Sequence, residues 1–241
     1  MPLAEASICL AHIASHDNDL CEAELRRINE HGVIDARGLS LTADLLDRIL
    51  AAARNSRGHT VLRDARFDRA TFDCVARFNE LTFEGEANFG AAVFKYGVQF
   101  YGTNFKFIVR FQDATFHFEA LFEEAVFNNA LLFHGVEFQR ASFRRTTFKR
   151  LAGFFWARFK GLVTFDEATF EGSARFEGSR FGNNAWFKKT AFQDEAEFLG
   201  STFGSAAHFK EATFGVQPDS PRASLKVTPT SPAQPFVGEF R

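Results

Sequence analysis

The stretch Ala65-Arg66-Phe67-Asp68-Arg69-Ala70-Thr71-Phe72-Asp73-Cys74-Val75-Ala76-Arg77-Phe78 sets a beat that continues to Phe214. Phenylalanine returns at Phe83, Phe111, Phe138, Phe143, Phe165, Phe187 and Phe209, and at every position between that the beat requires. Its steps alternate between five and six residues. The beat takes 28 of the chain's 33 phenylalanines and slips once, between Phe138 and Phe143, where a step of five replaces one of six. Two residues before each Phe the side chain is small or aliphatic: Ala65, Ala70, Ala76 and Leu81 at the start, Ser201, Ala207 and Ala212 at the end. The unit is therefore small–x–Phe–x–x, and the positions between carry Arg, Glu, Lys, Asn or Gly.

Such steps exclude a helix, because at 3.6 residues per turn they would scatter apolar residues around the cylinder. They also exclude a long plain strand, whose alternation has period two. A coil with short flat sides fits: each side turns one small residue and one Phe inward, and stacked coils pair their backbone groups about 4.8 Å apart. That architecture is a solenoid, held by nearest-neighbour stacking.

The run Ala65-Arg66-Phe67-Asp68-Arg69-Ala70-Thr71-Phe72 resembles the pentapeptide-repeat family, whose unit is Ala-(Asp/Asn)-(Leu/Phe)-x-x. The resemblance covers 61–217 and implies a mainly β fold, a right-handed quadrilateral parallel β-helix with four repeats per coil. This chain departs from the family pattern by placing Phe at every centre and an extra residue in every second step. Two steps of five and two of six then make one coil, with the extra residues at two opposite corners. Seven such coils make a rod of roughly 34 Å at strand spacing. The slip at Phe138 predicts a tightened corner at the midpoint.

Residues 1–60 lack the beat and predict a helical N-terminal cap, with helices over 3–15, 19–31 and 44–54. Thr42 is the N-cap of the last, and Val33–Leu41 an early extended segment. Such a cap covers an open solenoid end that would otherwise expose strand edges. Residues 218–241 hold five of the six prolines and read as a flexible tail; no rod contact is the favoured reading, and docking of Phe236 and Phe240 back on the rod is the alternative. With no helical cap after Phe214, the last coil is expected to be covered by the tail or paired with a second copy, a homodimer through the C-terminal coil.

A formal net charge of −2 gives no reason to expect strong nucleic-acid affinity, and direct nucleic-acid binding is not expected. No apolar run reaches the length of a membrane span. Three cysteines form no framework of bridges and favour a reducing compartment, which with the resemblance predicts a bacterial, cytoplasmic protein. Cys9, His12, His16 and Cys21 are zinc-ligand types, but their spacing matches no common structural-zinc pattern, so packing is the better reading and no metal or cofactor is expected. His117, His134 and His208 point outward on a convex rod, which forms no deep pocket, and no catalytic motif is present. The chain is read as no enzyme.

Two surface signals remain. Acidic Asp113, Glu119, Glu123, Glu124 and Glu137 fill 111–139 without a base; Arg140, Arg144, Arg145, Lys149, Arg150, Arg158 and Lys160 then fill 138–165 without an acid. Such belts steer a partner or else pair across coils. Aromatics off the beat are the second: Tyr96 and Phe118 one coil apart, Phe107 opposite, and Phe155, Trp156 and Trp186. The expected function is a non-catalytic scaffold that binds another protein through these belts and aromatics. The resemblance implies one alternative, a DNA mimic that modulates gyrase and confers quinolone or toxin resistance. Against it, 61–217 carry 19 basic and 19 acidic residues.

Overall fold

Each side of the coil is a short strand, because the inward small residue and Phe leave only one outward position between them. The computed structural model describes residues 22–215, with the backbone alone of 18–21, 225–227 and 236–237. It is a parallel β-solenoid of about seven turns with four faces. The first face begins with Val33–Asp35, Asp64–Arg66 and Ala87–Asn88; the second with Ser40–Leu41, Thr71–Phe72 and Val93–Phe94. The third begins with Ala76–Arg77 and Val98–Gln99, the fourth with Val61–Leu62 and Thr82–Phe83.

Register follows the beat. Ala65 pairs Ala87, Thr71 pairs Val93 and Ala76 pairs Val98, so each partner stands four beats further along the chain. After the slip, Ala120 pairs Ala141 and Val126 pairs Thr147, a step shortened by the missing residue, and by Ala141–Val163 the full step has returned. The corner at the midpoint is tightened, as expected. The chain passes it as a continuous strand, Glu137–Ser142, paired to Thr115–Leu121 through a bulge between Phe116 and Glu119. The ring ladder is unbroken there: Phe122 stacks on Phe143 at 4.9 Å and Phe138 on Phe159 at 5.3 Å.

All the beat phenylalanines are buried except Phe203 and Phe214 at the C-terminal end, which are half-buried. Along each face the rings stack with centroids 4.4 to 5.4 Å apart. Across the axis, first-face and third-face rings meet edge-on, as in Phe111–Phe122 at 85°. Both are arrangements the ring quadrupole favours. Hydroxyls at small positions are satisfied internally: Thr103 donates to the Phe78 carbonyl at 2.6 Å and Thr146 to that of Phe122 at 2.7 Å.

The corners are of two kinds. Wide corners, with the extra residue, join the second face to the third and the fourth to the first. Tight corners join first to second and third to fourth, and each closes through the residue two after Phe in left-handed conformation. Ten of these are not glycine, among them Arg69, Glu80, Asp113, Glu124, Arg145, Trp156 and Glu167, with φ between 53° and 61°. The amide after it bonds back to the Phe carbonyl, as Ala70 to Phe67 at 3.0 Å, which makes a turn that requires positive φ at its third residue.

Helix α1, Asn18–His31, and helix α2, Ala43–Ala52, precede the repeats, and Thr42 caps α2 by accepting from the Leu45 amide. These match the expected helices over 19–31 and 44–54 within two residues at each end; the one over 3–15 lies outside the described residues. Val33–Asp35, Ser40–Leu41 and Val61–Leu62 form three sides of a leading coil, and α2 takes the place of the third-face strand. Its Leu45, Leu46 and Ile49 join the core beneath the first rings.

Within 218–241 the sequence favours no rod contact, with docking near Phe236 the alternative; two pieces of backbone do pair with the rod. Leu225–Val227 extends the first face from Ala196–Phe198, and Phe236–Val237 extends the third from Ala207–His208. Leu225 and Phe236 are as far apart in the chain as their partners Ala196 and Ala207. Proline lacks a ladder donor, yet the prolines fall outside both paired pieces.

Candidate functional site

Outward residues one coil apart in the chain line up as columns along the rod, so each edge is chemically distinct. The edge between third and fourth faces carries Glu123 and Glu124, then Arg144 and Arg145, then Asp166 and Glu167, then Lys188 and Lys189. Arg145 donates to Glu124 at 3.2 Å and Glu167 at 3.1 Å, and Arg144 to Glu167 at 3.3 Å. Lys189 lies 3.7 Å from Glu211, and Glu123 accepts from Ser142 at 2.8 Å. The acidic and basic belts of the sequence are thus successive rungs of an alternating ladder. Hydrogen bonds from Tyr101 and then Arg145 hold the Glu124 carboxyl below its usual range. Arg145 and Arg144 do the same for Glu167.

Glu137, on the second face, accepts from Arg158 and lies 2.8 Å from each of Arg158 and Lys160; Lys160 first and Arg158 second hold its carboxyl low. Arg140 stands opposite Glu119 across the bulge. Arg140, Lys149 and Arg150 are exposed. The belt residues therefore do not converge on one site: they divide between the ladder edge, the second face and the wide corners, with Asp113 on the tight corner between first and second faces.

The stray aromatics also divide. Tyr96 and Phe118 stack with centroids 6.2 Å apart at the wide corner between second and third faces, each about half exposed. Phe107 lies at the diagonally opposite corner, where it walls an open groove with Arg37, Arg63, Arg66 and Asp64. Trp186 stacks on His208 at 3.9 Å on the third face.

Trp156 stands apart. It occupies the left-handed position, φ 53°, of the tight corner between first and second faces, and it is 65% exposed. Its column neighbours at the same position are Gly135, Gly178 and Gly200, which adopt that backbone without strain. A Cβ on Gly178 would meet the indole Cδ1 at 2.5 Å and Nε1 at 2.7 Å, so the indole occupies space that only glycine leaves open. Beside it His134 stacks on Phe155 at 4.6 Å, and Phe155 folds back over Gly153, whose Cβ would meet that ring at 3.0 Å. Exposed Leu199 continues the column. Unlike the ladder, this edge combines aromatic side chains with glycine, and its Glu177 is paired with Arg175 of the first face.

One coil beyond Trp156 lies a cluster that no local motif announces. Arg175 contacts Glu177 at 3.3 Å, Glu195 at 3.2 Å and Glu197. Burial first, and a hydrogen bond shared with Glu197, push the Glu177 carboxyl up, while its Oε2 is buried with no hydrogen-bond partner. The coil period sets Arg175 opposite Glu197 in the first-face ladder.

Among the described residues no group of His, Cys, Asp and Glu could hold a metal. Cys9, His12 and His16 lie outside them, as does the side chain of Cys21. No described helix is long and apolar enough to cross a membrane. A family model for pentapeptide repeats (9 copies) matches residues 154–202. No curated protein and no solved structure matches the chain.

Proposed function

We propose that this chain, whose residues 154–202 match pentapeptide repeats, is a non-catalytic, rigid scaffold that binds another protein through its rod surface. One observation carries this reading. Trp156 holds an unfavourable backbone conformation, for a bulky residue, at a position where its neighbours are glycine, and it leaves two-thirds of its surface in solvent. Neither burial nor turn geometry accounts for a tryptophan there; a partner that covers it does. Exposed aromatics with apolar neighbours are the usual anchors of protein interfaces. A stiff stack of rings costs little further ordering on binding, which favours affinity from a small patch. Belt residues Asp113, Glu119, Glu123, Glu124, Arg140, Arg144, Arg145, Lys149 and Arg150, with Tyr96, Phe107 and Phe118, then serve the rim or other contacts.

The test is capture from lysate of the source cells with wild type, Trp156→Gly and the double variant Arg144→Glu/Arg145→Glu. Loss of a specific protein in Trp156→Gly alone supports the aromatic edge. Loss in the double variant alone would move the site to the ladder, and no specific protein in any sample would end the scaffold reading.

The gyrase-directed DNA mimic has less behind it, because a duplex-like surface needs acid along its length and the ladder alternates in sign. No change in gyrase supercoiling with added protein is the expected result. Homodimerisation would use the edges of Thr202–Phe203 and Thr213–Phe214, which no described strand covers on the C-terminal side. Sedimentation at increasing concentration tests it.

A further inference from the structure

We infer that the wide corner between fourth and first faces, at the start of the rod, binds a carboxylate joined to an aromatic or other apolar body, with the carboxylate on Arg63 and the body on Phe107. The site is separate from the Trp156 edge and does not depend on the protein-binding reading. Arg63, Gly85 and Phe107 stand on successive coils there. Phe83 pairs Phe105, which sets Gly85 beside Phe107, and a Cβ on Gly85 would meet the Arg63 carbonyl oxygen at 1.6 Å. The middle rung therefore bears no side chain, and a notch two coils high, roughly 10 Å at strand spacing, opens between Arg63 and Phe107. Both line one groove of about 680 Å³, which continues along the first face over Arg66 and Asn88 to Arg37 and Asp68. That is the size of a small-molecule site.

The donors of the notch are open to solvent and uncommitted. Arg63 is exposed, and among the described residues no acceptor holds its guanidinium. Arg66 gives one N–H to Asp64 at 3.1 Å and has no other acceptor among them. The acids beside the notch are already answered: Glu84 by Lys106 at 3.0 Å, Glu86 by Arg110 at 2.5 Å and Asp64 by Arg66. Asp68, with its Oδ2 buried, stands at the far corner of the face, five residues beyond Arg63. A planar guanidinium fork matches the two oxygens of a carboxylate. Phe107, 52% exposed, supplies the apolar wall for the body that carries it. The lining sets three arginines against Asp64, Asp68 and Glu86, so a single negative charge is met at Arg63 while a polyanion also meets the acids. An uncharged ligand gains only the ring contact, and a cation faces Arg63.

The probe is 6-fluoro-2-naphthoate, followed by its ¹⁹F linewidth as the full chain is added, with 6-fluoro-2-naphthamide as the uncharged isostere. Saturable binding of the acid is expected, with the amide at least about ten-fold weaker. Arg63→Gln should weaken the acid at least about ten-fold with its melting temperature unchanged, and Phe107→Ser at least about three-fold. Leu162→Ser, an exposed apolar residue at the other wide corner, should leave binding as it is. Competition by the peptide Ac-Gly-Gly-Phe with a free terminal carboxylate identifies the source. Displacement at lower concentration than by unlabelled 2-naphthoate assigns the site to a chain end, and at higher concentration to a free acid. Equal binding of acid and amide, full affinity in Arg63→Gln, or no saturation below about 5 mM overturns the site. The lysate capture judges the scaffold separately.

Discussion

Phe122→Ala removes a ring from the middle of the ladder, and its cost measures what holds the rod together. The ring is fully buried. It stacks on Phe100 and Phe143, each at 4.9 Å, and meets Phe111 and Phe133 edge-on at 5.8 and 5.7 Å. A buried Phe→Ala change costs about 3–5 kcal/mol. The rings above and below are fixed by backbone pairing and cannot collapse into the hole, which places this site at the upper end, about 4–5 kcal/mol. Phe214 supplies the comparison: half-buried, it stacks on Phe192 at 5.0 Å and meets Phe209 tilted. Because the ring is only half-buried, Phe214→Ala should cost about 1–2 kcal/mol. Urea unfolding followed by far-UV circular dichroism reads both. A linear array can lose its ends first, so coincidence of circular dichroism with tryptophan fluorescence is checked before free energies are compared. A loss below about 2 kcal/mol at Phe122, or equal losses at the two sites, would refute the argument that cross-coil stacking carries the stability.

Other outcomes follow from the same geometry. Trp156→Gly should leave the melting temperature unchanged or raise it, because glycine relieves a left-handed backbone that costs a bulky side chain about 1 kcal/mol; a clear fall would show that the indole is structural. Thr146→Val keeps the volume but loses the bond to the Phe122 carbonyl, which retains the Ala125 amide, so urea unfolding should show a loss of about 0.5–1.5 kcal/mol. Glu124, Glu137 and Glu167 have folded pKa values below the reference of 4.5, so their stabilisation is present above pH 4.5 and fades as pH falls through the lower folded values. Glu177, shifted upward, works in the opposite sense and is relieved by acid. Melting temperature should therefore stay nearly level from pH 8 to about 5 and fall below 4.5, less steeply in Glu177-containing protein than in Glu177→Gln. Deleting 218–241 uncovers the edges of Ala196–Phe198 and Ala207–His208, and concentration-dependent association in sedimentation is expected.

The solenoid was legible because its inward residues obey a strict rule, and backbone pairing turns that rule directly into register. Even the slip at Phe138–Phe143 was readable, since one missing residue can be absorbed only at a wide corner. The left-handed turns left a fainter mark. Their positions hold Arg, Glu, Ala, Asp, Lys, Trp and Gly but no Val, Ile or Thr, the side chains that positive φ excludes most strongly. The outward surface was harder to read. Charge blocks along the sequence became an alternating ladder across coils, because neighbours on the rod stand a full coil apart in the chain. The Arg175 cluster was invisible in the sequence for the same reason. In the Pro-rich segment composition argued against structure, while the spacing of Leu225 and Phe236 matched half a coil.

A photo-crosslinking residue placed at position 156, with the same residue at position 145 as control, tests the binding edge most directly in the source cells. The account predicts one discrete protein adduct from position 156 and none from the ladder edge. Adducts of equal yield from both positions, or from position 145 alone, would contradict it.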